Sequence, residues 1–227
     1  MVLRIGHRGA AGHAPENTLV SFEKAIDLGC DMTELDVHIC GSGELVVIHD
    51  ETVDRTTNGS GRVSELTLRE IKTLDAGDGE EIPTLEEVLE LLRGRVQLNI
   101  ELKGLGTVEP VYELIKSTGW RGENLLITSF NWGMLSEYRE LDPEARIGPL
   151  THLNLNEAME FAETINAHCV NPYHKLLTKG YVDQAHRKGF NIYPWTVNDP
   201  SDIQRVIEMG VDGVISNYPD RVTRRGS

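Results

Sequence analysis

Cysteine is scarce and poorly placed for cross-linking. Cys30, Cys40 and Cys169 are odd in number and widely spaced in a chain of 227 residues, which argues against a disulfide framework and for a reducing compartment. Long apolar runs are missing as well, and no stretch has enough consecutive hydrophobic residues to span a bilayer. Met1-Val2-Leu3-Arg4 leads straight into a strand pattern, so no secretory leader is expected and a cytoplasmic location is. Positive charge is in short supply: 22 Lys and Arg face 36 Asp and Glu, a formal net charge of −14 with histidine neutral. A field of that sign repels nucleic acid and anionic membrane, so neither a nucleic-acid partner nor stable membrane association is expected. It should also slow an anionic substrate unless a metal or local cations reverse it at the site. Gly9 and Gly12 lack the spacing and the following lysine of a nucleotide-binding phosphate loop.

What is present is a steady alternation. With 39% hydrophobic and 26% charged residues, the composition is that of a soluble globular protein, and one domain over 1–220 is expected. Short apolar runs at 3–6, 32–38, 96–102, 125–128, 146–150, 169–171, 191–197 and 213–216 read as strands, and each but the last is followed by helical pattern. Asn17 or Thr18 can cap the first helix, and Gly29 stops it. Thr67 with Glu70 and Thr84 with Glu87 form capping boxes, the first opening a short helix over 67–74. Asp199-Pro200 supplies an N-cap and a proline at the first helical position. The link Gly41-Ser42-Gly43 is too short for a parallel crossover, so 45–48 is predicted to lie antiparallel to 32–38 as a hairpin. A polar, glycine-punctuated insertion at about 51–80 and a frayed basic tail at 221–227 complete the division. Eight strands in a chain near the ~250 residues typical of the fold predict an α/β architecture, a (β/α)8 TIM barrel. A doubly wound open sheet fits less well, because the polar residues follow many different strands instead of gathering at one crevice.

A barrel brings the C-terminal ends of all its strands to one face. His7, Glu34, Asp36, Glu101, Lys103 and Trp195 then converge, with His49 added by the hairpin. Glu34 and Asp36 share a strand face with two-residue spacing, and Glu101 stands on another strand. Three carboxylates in one dry pocket repel unless a cation holds them, and oxygen-only ligation selects Mg²⁺ or Ca²⁺ over zinc. Taken singly, each could instead be strand-end solvation or half of a salt bridge. His7 and His49 could divide proton removal and proton delivery across a phosphorus atom, their ordinary pKa lying near the operating pH; each alone could be a satisfied rim histidine. Asp50 could orient His49 if the chain turns sharply there. Arg8 and Lys103 suit phosphate oxygens, as a fork and a point charge respectively, although Lys103 could simply neutralise Glu101. Trp195 could wall the pocket against an alcohol moiety, or be a core aromatic. His13, His38, His152, His168, His174 and His186 show no convincing partner and are not expected to be ligands.

At these residues the chain resembles the glycerophosphodiester phosphodiesterase family. The resemblance is carried by His7-Arg8-Gly9, Ala14-Pro15-Glu16-Asn17-Thr18, Glu34-Leu35-Asp36-Val37, His49-Asp50, Glu101-Leu102-Lys103, Ser129-Phe130, Trp195-Thr196-Val197-Asn198 and Gly213-Val214-Ile215-Ser216-Asn217-Tyr218-Pro219, in order along nearly the whole chain. It implies a barrel with a small insertion after His49, one divalent cation on Glu34, Asp36 and Glu101, His7 and His49 as the acid/base pair, and Arg8 and Lys103 on the phosphate. The implied reaction is hydrolysis of a glycerophosphodiester to sn-glycerol 3-phosphate and an alcohol, with the glycerol 2-hydroxyl attacking phosphorus first and water opening the cyclic phosphate. Asn17 matches too, although a helix cap accounts for it. The insertion is short for the family, which favours a small, water-soluble diester. Other barrel phosphodiesterases, of phospholipase C or phospholipase D toxin type, and a non-catalytic phosphate-binding barrel are the alternatives.

Overall fold

The computed structural model describes residues 1–223. Its elements alternate along the chain: β1 (Leu3–Gly6), α1 (Leu19–Asp27), β2 (Met32–Ile39), β3 (Leu45–Val47), α2 (Leu68–Ile71), α3 (Leu85–Leu92), β4 (Gln97–Leu102), α4 (Val108–Thr118) and β5 (Leu125–Ser129). Then follow α5 (Trp132–Leu141), β6 (Ile147–Thr151), α6 (Leu155–Thr164), β7 (Cys169–Pro172), α7 (Lys179–Arg187), β8 (Asn191–Ile192), α8 (Pro200–Met209) and β9 (Gly213–Ser216). Eight strands pair in parallel in the order β8-β7-β6-β5-β4-β2-β1-β9, while β3 lies antiparallel on β2. Hydrogen bonds from the Asp212, Ile215 and Val197 amides to the carbonyls of Ile192, Pro194 and Ile215 cross the gap between β8 and β9. The fold is the (β/α)8 barrel, with the antiparallel hairpin strand where the short glycine link required it.

Strand alternation sorts the side chains into two layers. Leu35 and Val37 of β2, Leu98, Ile100 and Leu102 of β4 and Leu125 and Ile127 of β5 point outward into the large apolar layer shared with the helices. Met32, Leu126, Cys169, Tyr193 and Ile215, joined by Ile5, fill the barrel interior below the site. A third, smaller cluster of Cys40, Val46, Ile48, Val53, Val63, Ile71, Ala76 and Ile82 lies under the insertion, so this polar-looking stretch carries its own apolar footing.

Local chemistry accounts for the helix starts. Both capping boxes are present at Thr67/Glu70 and Thr84/Glu87, and Asp199 caps α8 with proline inside its first turn. Thr18 caps α1, its hydroxyl accepting from the Ser21 amide.

Three expectations need correction. The helix after Thr67 makes one α-turn, Leu68–Ile71, and reaches Leu74 only by tighter three-residue turns. The strand expected over 191–197 pairs regularly only at Asn191–Ile192: the Tyr193 and Trp195 amides still reach the Val170 and Pro172 carbonyls, but Pro172 has no N–H to return to β8 and Pro194 none to offer β9; pairing resumes at one parallel bridge, Tyr173 with Trp195. The tail does not fray at 221: Arg221 lies 3.7 Å from the Tyr218 ring centroid and Val222 is fully buried. The remainder of that expected tail, 224–227, lies outside the described residues.

Urea unfolding should rank two substitutions. Ile100→Ala, in the outer layer, is expected to cost about 2–5 kcal/mol, whereas Thr84→Ala, which removes one cap, costs about 1 kcal/mol; a cap loss exceeding the core loss would contradict this account of the packing.

Candidate active site

The site is assembled at the C-terminal ends of the strands. Glu34 and Asp36 lie on the inward face of β2, and Asp36 is the register partner of Glu101 on β4. Ligand oxygens of Glu34, Asp36 and Glu101 all lie within 4.8 Å of one another, and all three residues are buried. Polar neighbours reach each of them. The Arg8 amide donates to Glu34 Oε2 at 3.0 Å. Asn17 Nδ2 donates to Asp36 Oδ2 at 2.9 Å, with Arg8 Nε 3.3 Å from the same oxygen. Lys103 Nζ stands 3.1 Å from Glu101 Oε1 and 3.9 Å from Asp36 Oδ1. These last oxygens, Asp36 Oδ1 and Glu101 Oε1, nevertheless lack a properly directed hydrogen bond.

Electrostatics follow from burial and from like charge. Burial, then Asp36 and Glu101, push the Glu34 carboxyl well above the usual range; burial and Asp36 push Glu101 up to about 7. Burial acts on Asp36 in the same sense, but Arg8, His49, Lys103 and Asn17 overcome it and hold this carboxyl below its ordinary value. Such a trio favours a divalent cation, and the donor set fits one: oxygen ligands only, two of them with lone pairs unengaged by directed donors.

Two imidazoles line the same cavity. His7 donates from Nδ1 to Asn217 Oδ1 at 2.6 Å, which leaves its Nε2 lone pair 3.9 Å from Glu34 Oε2. Burial, helped by Arg8, lowers its pKa to about 4, so the ring is neutral at pH 7. His49 donates from Nδ1 to Asp50 Oδ1 at 2.5 Å and accepts at Nε2 from Lys103 Nζ at 3.1 Å. The chain thus makes the turn that lets Asp50 hold its neighbour. Both rings carry the same tautomer, with Nε2 as the free or exchangeable position.

The β1–α1 loop is bent to bring Arg8 in. Arg8 and Asn17 adopt left-handed φ of 51° and 58°, a conformation asparagine tolerates and arginine seldom takes. Gly9 packs so closely on Ser21 that a Cβ would lie 2.4 Å from its hydroxyl oxygen. Arg8 then extends Nη1 to Glu16 at 2.7 Å. The opposite wall is aromatic: Trp195, fixed by donation from Nε1 to the Asn171 carbonyl at 2.8 Å, meets Phe130 and Tyr173 at centroid distances of 5.2 and 5.6 Å. His7, Arg8, Glu34, His49, Glu101, Phe130, Leu150, Trp195 and Thr196 line one common cavity.

The structure therefore brings together all eight residues singled out in the sequence: His7, Arg8, Glu34, Asp36, His49, Glu101, Lys103 and Trp195. Others were not foreseen. Asn17 is not the cap of α1 but a donor to Asp36, with Thr18 one residue later taking the cap; two adjacent residues of cap type cannot be told apart without the loop conformation. His38 reaches the His49 carbonyl from Nε2 at 3.1 Å, supporting that loop from below. Glu16, Arg55 and Asn217 also engage site side chains, and only the Glu16-Asn17 and Asn217 positions inside matching motifs could have signalled it. Several of the histidines set aside do have partners, His13 with Asp220, His186 with Asp212, and His168 with Arg146 and Asn191, yet among the described residues the only candidate metal cluster is Glu34, Asp36 and Glu101.

Comparison with known proteins agrees with this picture. The model of the glycerophosphoryl diester phosphodiesterase family matches residues 7–221. The glycerophosphodiester phosphodiesterase of Caldanaerobacter subterraneus subsp. tengcongensis is 41% identical, the alignment covering 96% of this chain and 95% of that one; that of Bacillus altitudinis is 38% identical over 96% and 95%. Among solved structures, a phosphodiesterase of Oleispira antarctica in complex with the product sn-glycerol 3-phosphate superposes with a TM-score of 0.91 at 32% identity, covering 96% of this chain and 94% of that one. No helix among the described residues is long and apolar enough to cross a membrane. On the family match and these relatives, the chain belongs to the glycerophosphoryl diester phosphodiesterase family and is a phosphodiesterase.

Proposed function

We propose that this protein hydrolyses small glycerophosphodiesters to sn-glycerol 3-phosphate and an alcohol, with His7 and His49 as the acid/base pair. The observation that carries the reading is the buried cluster of Glu34, Asp36 and Glu101 flanked by two imidazoles whose Nδ1 positions are already committed to Asn217 and Asp50. The Oleispira antarctica relative, solved with sn-glycerol 3-phosphate, supports the product assignment.

A divalent cation, Mg²⁺ or Ca²⁺, bound by Glu34, Asp36 and Glu101 would polarise a phosphoryl oxygen and lower the pKa of a nearby hydroxyl. The remaining work falls to the chain. A diester phosphate enters between Arg8 and Lys103, and its oxygens compete for the Lys103 ammonium that now occupies His49 Nε2. Released from that contact, the His49 lone pair becomes available. One imidazole, neutral with its Nε2 lone pair free, takes the proton of the glycerol 2-hydroxyl as its oxygen forms a bond to phosphorus, and the other, having first taken a proton from solvent at Nε2, gives it to the departing alkoxide as the P–O bond to the alcohol breaks. In the second stage water attacks the cyclic phosphate with the two roles exchanged, and the ring opens to the 3-phosphate. Arg8 and Lys103 stabilise charge on the equatorial oxygens throughout. Asp50 and Asn217 hold each ring by its Nδ1–H, so that protons are taken up and given at Nε2, as a carboxylate or amide oxygen does for a catalytic histidine elsewhere. Trp195 and Phe130 form the wall for the alcohol.

The reading is tested by release of sn-glycerol 3-phosphate from glycerophosphocholine and glycerophosphoethanolamine. Release is expected, lost on chelation and restored by Mg²⁺ or Ca²⁺; products of another cleavage point to a phospholipase-type activity, binding without turnover to a phosphate-binding barrel, and full activity in metal-free protein removes the cation. His49→Ala is expected to lower kcat by ~10²-fold or more with a smaller effect on binding, so a near-wild-type kcat would take His49 out of the mechanism. A diester lacking the glycerol 2-hydroxyl should be inert, and its brisk hydrolysis would mean direct attack by water.

A further inference from the structure

Arg55 lies in the insertion after β3, and the reaction proposed above gives it no part. Its guanidinium forks across two carboxylates. Nε and Nη2 donate to Asp50 Oδ2 and Oδ1 at 2.6 and 3.0 Å, while Nη1 and Nη2 donate to Glu16 Oε2 and Oε1 at 3.0 and 2.8 Å. Each carboxylate already holds one arm of the site: Asp50 accepts from His49 Nδ1, and Glu16 accepts from Arg8 Nη1. The two arms come from separate loops, Glu16 lying 39 positions before Arg55 in the chain.

An exposed ion pair ordinarily contributes little, because long side chains lose entropy and water screens the charges. Arg55 is 47% exposed, but Glu16 and Asp50 are only 22% and 28% exposed, and a planar fork making four directed bonds is the geometry in which arginine differs most from lysine. Against burial, Arg55 and Arg8 together hold the Glu16 carboxyl at about 2. The insertion has a fixed footing from which to present the fork. Val53, two residues before Arg55, is fully buried in the small apolar cluster, and its amide is bonded to the Gly61 carbonyl at 3.0 Å.

We propose that Arg55 is a positioning residue for the reaction: it closes a polar chain from Arg8 through Glu16 and Asp50 to His49, and so sets the phosphate-facing guanidinium and the imidazole at a fixed separation. The inference rests on the histidine reading of the preceding section. It gives the insertion a part in the chemistry that is neither lid nor recognition of a lipid.

Arg55→Ala and Arg55→Lys test it together. In both, kcat for glycerophosphocholine is expected to fall about 10- to 100-fold, the usual penalty for releasing a group that orients a reacting residue; lysine keeps the charge but cannot span two carboxylates. The second readout is the ¹⁵N spectrum of histidine-labelled, substrate-free protein, with the His49 signals assigned by their loss in His49→Gln. Wild type is expected to show a protonated Nδ1 and an unprotonated Nε2, and both Arg55 variants a shift toward a mixture of tautomers. Wild-type kcat in either folded variant overturns the proposal, as does full rescue by lysine or a loss of kcat with His49 nitrogens unchanged. If the alanine variant does not fold, the lysine variant decides. Should the wild-type protein hydrolyse no glycerophosphodiester, the reaction assignment fails, while the nitrogen spectra still report on the clamp.

Discussion

Three carboxylates pointing into the same water-poor space repel one another, and the architecture of this end of the barrel is a response to that repulsion. Glu34, Asp36 and Glu101 are 4%, 1% and 8% exposed. No core tolerates such groups unless cations or donors surround them. Arg8 and Asn17 from the β1–α1 loop and Lys103 from the end of β4 surround them here. Two of these neighbours, Arg8 and Lys103, are also the ones that face the phosphate in the proposed reaction. On that proposal charge compensation and substrate binding draw on the same two cations, while the buried acidic trio remains suited to a divalent ion.

The reason these acids can be so close is the sheet itself. Asp36 and Glu101 are direct partners on adjacent parallel strands, and Glu34 stands two residues before Asp36 on the same face. That much is legible in a linear sequence, since alternation of Leu35 and Val37 with acidic residues marks both the strand and its unusual inner face. Capping boxes, the proline opening α8 and the glycine-linked hairpin are equally local, and they read correctly. The part that stayed hidden is tertiary. Nothing in Glu16 or Arg55 taken alone distinguishes a surface ion pair from a brace between loops, and Asn17 could be separated from Thr18 as a cap only by its left-handed backbone.

The insertion shows how polar composition can conceal order. Its eight buried apolar residues, drawn from β3, the flanking loops and the short helix, make a satellite core beneath a charged skin. Backbone bonds stitch it to the hairpin, Gly41 to Leu66 and Val47 to Pro83. A segment held in this way serves as a buttress for the loop that carries His49 and Asp50, with His38 bracing the same loop from inside the barrel.

The charged groups of the site all come from the first 103 residues, whereas Phe130, Leu150, Trp195, Thr196 and Ile215 supply most of the facing wall. If the proposed reaction holds, bond breaking and the choice of leaving alcohol fall to separate halves of the chain. The loops after β5, β6 and β8 thus border the wall of the cavity without belonging to β2 and β4, the strands that carry the acidic trio.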